Sequence, residues 1–134
     1  MVQDVAMNVL YATGWAVLGD LALELDDKKS AAQYYAYNEL AEAGIQQHMW
    51  NSELKRFCTT YRDRDGRSKQ TTVQAIQTLF PLLLRSLTDE QRAALISDVT
   101  DPNKFWTPYP FPTVSLMEPS YTPIYTTNLV RFHY

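Results

Sequence analysis

A mainly α-helical domain, with one small β-hairpin and a Pro- and aromatic-rich C-terminal loop, is the fold this sequence predicts. Three observations lead there. Two long N-terminal stretches place apolar residues with the period of a helix, and a β-prone stretch around Phe57 runs into an Asp-Gly turn. All seven prolines except Pro81 lie between Pro102 and Pro123.

The first helix is expected from about Asp4 to Leu25. From Val9 onward Leu10, Gly14, Val17, Leu18, Leu21 and Leu25 recur at spacings of three, four and seven, which is one buried stripe on a 3.6-residue period. Asp26-Asp27 then offers an N-cap for a second helix from Lys28 to about Met49, with Ala32, Tyr35, Ala36, Leu40, Ala43 and Met49 as its apolar positions. The short connection makes the two antiparallel neighbours, and small residues such as Ala31, Ala36, Ala41 and Gly44 permit close approach of another helix. Residues 56–62 are β-prone, and Asp63-Arg64-Asp65-Gly66 supplies a turn before the polar residues 67–70, which gives a hairpin. A third helix is expected over residues 72–87, kinked or restarted at Pro81 because proline removes a backbone donor. Its Leu79 and Leu82 fall opposite Phe80, Leu83 and Leu84, so it reads as enclosed. Thr88-Asp89-Glu90-Gln91 has the form of a capping box and opens a fourth, short helix ending near Val99. After Asp101-Pro102 the chain is extended and loop-like. Residues 1–121 form one domain in this reading, and 122–134 a divergent tail.

At 134 residues, 46% hydrophobic and 20% charged, the composition is that of an ordinary globular domain. Twelve Lys and Arg against fifteen Asp and Glu give a net charge of -3, which argues against nucleic acid as a partner. Cys58 is the only cysteine, and a lone thiol fits a reducing compartment, so a cytoplasmic location is expected. The N-terminus lacks a basic leader segment, and Asp20 and Glu24 interrupt the first apolar stretch, so no membrane partner is expected.

Catalytic constellations are sparse. His48 and His133 are far apart, no second His or Cys stands at metal-ligand spacing, and no glycine-rich phosphate loop occurs, so neither metal nor cofactor is expected. Glu53, Asp63, Asp65, Asp98, Asp101 and Glu118 read most simply as caps, turn residues or solvated charges. The informative set is aromatic and polar. Asp4, Asn8, Tyr11 and Trp15 fall at steps of four, three and four on one side of the first helix. Such a surface suits a sugar, whose hydroxyls need polar partners while its C–H face packs on an aromatic ring. The segment from Phe105 to Pro112 carries four aromatics on a stiff Pro-rich strand. It is either a plug over the helix ends or a sugar platform. Asp4, Asn8, Trp15, Trp106 and Tyr109 are the candidate saccharide-binding residues.

Several of these motifs resemble the catalytic domain of glycoside hydrolase family 63, including its glucosylglycerate- and mannosylglycerate-hydrolase-like members. Asp4-Val5-Ala6-Met7-Asn8-Val9-Leu10-Tyr11 before a Leu/Ala-rich helix is similar to a stretch of that domain. Met49-Trp50-Asn51-Ser52-Glu53-Leu54-Lys55-Arg56-Phe57 resembles its step from helix into hairpin, and Leu79-Phe80-Pro81-Leu82-Leu83 its Phe-Pro-Leu helix. Asp101-Pro102-Asn103-Lys104-Phe105-Trp106, Pro112-Thr113-Val114-Ser115 and Glu118-Pro119-Ser120-Tyr121 resemble its C-terminal loop. Order and spacing agree from Asp4 to about Tyr121. The resemblance implies antiparallel helical pairs as in a segment of an (α/α)6 toroid, and inverting hydrolysis of α-glucosidic or α-mannosidic bonds by two carboxyl groups. The family's general acid and general base fall outside the resembling stretch, and neither has a counterpart here. Lys55 stands where the family usually has a turn glycine, so its hairpin geometry is not expected to carry over unaltered. After Tyr121 the family's Trp-Arg-Gly motif is replaced by Thr122-Pro123-Ile124. The expectation is a truncated glycoside-hydrolase-like domain without independent activity that keeps weak affinity for a small saccharide or glycoside. The alternative is an interaction module that self-associates as a homo-oligomer through former toroid interfaces, with the third helix as the contact.

Overall fold

The structure is a computed structural model that describes residues 2–121. The proposed tail, 122–134, lies outside the described residues. Strand β1 (Val2–Gln3) leads into helix α1 (Val5–Glu24), a tight turn, and helix α2 (Lys28–Met49). Four short strands follow: β2 (Trp50–Asn51), β3 (Arg56–Phe57), β4 (Thr60–Arg62) and β5 (Ser68–Gln70). A 3-10 helix (Ile76–Leu83) and helix α3 (Asp89–Thr100) complete a mainly α fold with small antiparallel sheets.

Local chemistry sets the helix boundaries where the sequence placed them. The Asp4 carboxylate accepts the Met7 amide at 3.0 Å and Asp27 accepts that of Ser30 at 3.0 Å, each relieving one of the unpaired donors of a first helical turn. Thr88 and Gln91 cap α3 reciprocally, with Gln91 N donating to the Thr88 hydroxyl at 3.2 Å and Thr88 N donating to the Gln91 side chain at 3.1 Å.

The buried faces differ from the expected stripes. On α1 the buried residues are Val5, Ala6, Val9, Ala12, Ala16, Gly19 and Ala22, while Leu10, Val17, Leu18, Leu21 and Leu25 are exposed. On α2 they are Ala31, Asn38, Glu42, Ile45 and Met49, and Leu40 is exposed. The two helices pack on small residues and on the polar Asn38, whose side-chain amide donates to Ala12 O at 2.9 Å. Close approach decides this: a Cβ on Gly19 would lie 2.5 Å from the Tyr35 ring. Gly44, expected to serve close packing, has no neighbour within 4 Å of such a Cβ.

The single β-prone stretch splits in two. β3 pairs back with β2, Trp50 opposite Phe57, whereas β4 pairs with both β5 and β1. Lys55 closes the first hairpin at φ 50, a left-handed conformation that favours glycine.

The third helix is also shorter than expected and is 3-10 rather than α. Residues before Ile76 are committed elsewhere: Thr71 N donates to Thr59 O, Gln74 N to the Glu118 carboxylate, and Ala75 bridges to Val114. Leu84 N closes the last turn on Pro81 O. The next two amides, of Arg85 and Ser86, donate to Glu42 at 3.2 and 2.8 Å, so the chain leaves the helix before Leu87. Leu79, Leu84 and Leu87 join Val5, Val9, Phe57, Leu95 and Phe105 in the core, with Leu82 packed against them.

Candidate functional site

Three surfaces carry polar or aromatic chemistry, and the predicted residues are divided among them. Asp4 and Asn8 are occupied at the start of α1: besides capping, Asp4 lies 3.5 Å from the Thr59 hydroxyl, and the Asn8 amide donates to Asp4 O at 2.8 Å. Thr59 in turn accepts the Val5 amide, which ties this end of α1 to the strand region. Trp15 lies further along. It stacks on Tyr34 at 5.8 Å between ring centres, tilts against Tyr37 at 4.9 Å, and meets Tyr11 edge-on at 5.8 Å. Tyr11 and Tyr37 are exposed, and the Gln33 amide donates to the Tyr37 hydroxyl at 2.8 Å. The indole N–H of Trp15 is buried with no acceptor among the described residues.

The C-terminal aromatic loop divides between the two roles open to it. Phe105 is fully buried in the core, while Trp106 is 55% and Tyr109 91% exposed. Backbone bonds fix the switch: the amides of Lys104, Phe105 and Trp106 all converge on Asp101 O, and Lys104 pairs with Asp98 at 2.5 Å. Trp106 lies edge-on to Phe111 at 5.8 Å. Asp4 caps the helix that carries Asn8 and Trp15, and among the described residues no hydrogen bond or ring contact joins these three to Trp106 or Tyr109.

The third surface was not anticipated from sequence. A cleft of about 580 Å³ opens between α2 and the turn after the 3-10 helix, lined by Tyr35, Asn38, Glu39, Glu42, Ala43, Gln46, Arg85 and Ser86. That volume lies within the range of small-molecule sites. Taking Asn38 as the line of α2 that faces α1, the 3.6-residue period puts Tyr34 and Tyr37 on one side, and Tyr35, Glu39, Glu42 and Gln46 on the other. The cleft and the aromatic group around Trp15 therefore flank the same helix pair on opposite sides.

Glu42 is 3% exposed. Burial opposes its charge, yet the hydrogen bonds from Ser86, Asn38 and Arg85 outweigh that and hold the carboxyl below the usual carboxylate range. Asp20 is lowered as well, by hydrogen bonds from the Tyr35 hydroxyl and from Arg85. The same contact raises Tyr35, and Asp20 at 2.6 Å raises Arg85. Asp27 moves in the same direction as Asp20 because it caps Ser30. A general acid needs a carboxyl that keeps its proton near neutrality, and these three shift the other way. Cys58 offers no nucleophile, since burial pushes its thiol up despite nearby Arg56. Among the described residues, no three His, Cys, Asp or Glu side chains converge as metal ligands would. One signal for the cleft was present in the sequence: Asn38 and Glu42 are polar at a spacing of four on a helix whose Ile45 and Met49 continue the same face.

A family model described as the mannosylglycerate hydrolase MGH1-like glycoside hydrolase domain matches residues 1–131. That match extends ten residues beyond Tyr121, into the segment read as divergent. No curated protein is similar enough to count as a match.

Proposed function

The chain belongs to the mannosylglycerate hydrolase MGH1-like glycoside hydrolase family, and from that premise we propose that it binds a small saccharide or glycoside without turning it over by itself. The observation that carries this reading is the aromatic group Tyr11, Trp15, Tyr34 and Tyr37, which presents two exposed tyrosines. Aromatic faces supply apolar contact for a sugar ring and phenol hydroxyls supply polar ends. Trp106, edge-on to Phe111, and the exposed Tyr109 offer further aromatic surface. Inverting hydrolysis requires one carboxyl that donates a proton and another that activates water. The carboxyls with shifted proton affinity favour the ionised form, and none of the three meets the first requirement.

The test pairs binding with turnover. α-Glucosyl- and α-mannosylglycerate and aryl glycosides are incubated with the purified chain, and binding is followed by tryptophan fluorescence. Binding that Tyr37→Ala weakens, with no release of sugar, is the expected result. Steady release abolished by a single Asp or Glu substitution would overturn the reading.

A second reading, self-association, is favoured by the outward face of α1. Leu10, Val17, Leu18 and Leu21 are exposed along it, and a Cβ added at Gly14 would meet nothing within 4 Å among the described residues. Against a second copy running antiparallel about a two-fold axis between Val17 and Leu18, Leu21 falls opposite Gly14 and Leu10 opposite Leu25, so bulk meets space. The occupant is a second copy of this chain and the contact proposed is α1; on the third helix Leu79 is buried in the chain's own core, whereas Leu82 is partly covered and Leu83 exposed. Light scattering across a dilution series checks it: a dimer that Leu21→Glu dissociates is expected, and a monomer at every concentration refutes it. By length and composition α1 also passes as a bilayer span, a property shared by core helices; here its small-residue face is taken by α2.

A further inference from the structure

We propose that the cleft between α2 and the Arg85–Ser86 turn binds the protonated amine of a small polar ligand, such as an amino sugar. This site is separate from the aromatic surface of the saccharide reading and can fail without it. Two of its lining residues, Asn38 and Glu39, carry acceptors without a hydrogen-bond partner among the described residues. The Asn38 side chain is only 6% exposed, and its Nδ2 is fixed between two acceptors, Ala12 O at 2.9 Å and Glu42 Oε1 at 3.0 Å. That leaves Oδ1 on a cleft-lining residue with no hydrogen bond among the described residues. The Glu42 carboxylate takes the Arg85 and Asn38 donors on Oε1 and Ser86 on Oε2, so it contributes negative charge to the wall rather than a free acceptor. Glu39 is exposed on the wall and has no ion pair among the described residues.

Charge completes the argument. Arg85 is the one cation on the wall, and Asp20 at 2.6 Å answers it while the guanidinium lies 5.9 Å from the centre of the Tyr35 ring. Glu39 and Glu42 remain in excess. A neutral hydroxyl would satisfy part of this set; an ammonium group, with three donors and a positive charge, satisfies the acceptors and the charge together. The Tyr35 ring offers an apolar wall for the carbon skeleton.

Glucosamine and glucose share a skeleton and differ at one position, amine against hydroxyl, which makes them the discriminating probes. Each is titrated into the 15N-labelled chain, with the Arg85 and Ser86 amides, both bonded to Glu42, as reporters. Glucosamine is expected to shift both amides and to bind at least about tenfold more tightly than glucose, the factor a charge-assisted hydrogen bond supplies. Glu39→Gln, on an exposed side chain that makes no bond the fold needs, is expected to weaken glucosamine severalfold and leave glucose unchanged. Equal affinity for the two sugars, shifts confined to residues outside the cleft, or no shift at either amide would overturn the proposal. Only the last two patterns, combined with silence at Tyr37, would also weigh against the saccharide reading.

Discussion

Replacing Gly19 by alanine should destabilise the chain, although alanine is the better helix former. An added Cβ would lie 2.5, 2.7 and 2.9 Å from three atoms of the Tyr35 ring, well inside contact distance. The ring is not free to swing away: its hydroxyl donates to Asp20 at 2.7 Å, and Arg85 lies over its face. Gly14 and Gly44 have nothing within 4 Å of the same added atom, so Gly14→Ala and Gly44→Ala report the propensity gain alone, about 0.8–1 kcal/mol for a helix interior. Gly19→Ala receives that gain too but incurs the overpacking penalty, typically about 1–3 kcal/mol. The gap between Gly19→Ala and the other two variants therefore isolates the clash, at about 1–3 kcal/mol. Urea unfolding followed by circular dichroism measures it. In a Tyr35→Ala background the gap should close, because the ring that causes it is gone. If Gly19→Ala proves as stable as Gly14→Ala, the close approach of α1 and α2 at this point is wrong.

Glu42 should make stability depend on acid. Its folded-state carboxyl is held below the ordinary value, so its contribution is fully present above the unfolded value of about 4.3 and is lost as pH falls through the folded one. Glu42→Gln leaves at least one of the Arg85 and Ser86 amides poorly matched and should cost about 1–3 kcal/mol at neutral pH. Urea midpoints of the two proteins should converge on acidification, and a gap that stays flat or widens refutes the assignment. Lys55→Gly should stabilise by up to about 1 kcal/mol, since the left-handed penalty of roughly 1–2 kcal/mol exceeds the roughly 0.4–1 kcal/mol that glycine's unfolded-state freedom costs. The surface pair of Lys55 with Glu90 at 3.3 Å subtracts little, and an unfolding midpoint below that of the parent would contradict the φ of 50. Phe105→Ala should cost about 3–5 kcal/mol as a buried aromatic, but Trp106→Ala only about 1 kcal/mol, because full burial of a large side chain is worth roughly 1.5–3 kcal/mol and less than half of Trp106 is covered. Equal losses from adjacent residues would show that the loop does not divide as described.

What could be read from the sequence was local. Asp4, Asp27 and Thr88 cap their helices because a side-chain oxygen meets an amide within three residues, and no distant neighbour is needed to predict that. The buried faces are not local. Leucine periodicity on α1 identified a real apolar stripe, but the α1–α2 pair closes on alanines and Gly19, leaving that stripe outside. The period-based argument finds the most apolar face, whereas the packing follows the face that permits the nearest approach. The 3-10 helix failed for a related reason: its limits are set by Glu118 and Glu42, which are 44 and 43 residues away from the amides they accept. The predicted site residues were found as a pattern on α1 and as an aromatic run, and the structure keeps those groups apart. The cleft escaped because its walls are Asn38 and Glu42, polar residues that a hydrophobicity pattern counts as surface.

Glu42 is at once a wall of the cleft and the acceptor that draws Arg85 and Ser86 out of the preceding helix. Fold and ligand site are therefore not separable at that residue, and loss of binding in a Glu42 variant would say nothing about which role had failed. Glu39, one turn closer to the N-terminus of α2, carries charge in the cleft without holding any backbone. Tyr11 and Tyr37 stand in the same relation to Trp15, being exposed where Trp15 is wedged between helices. On both flanks of the α1–α2 pair, then, an inner residue fixes the geometry and an outer one is available to a ligand. Substituting the outer residues tests recognition, and substituting the inner ones tests the scaffold. Unchanged glucosamine binding in Glu39→Gln would therefore count against the cleft as a cation site, whatever Glu42→Gln does.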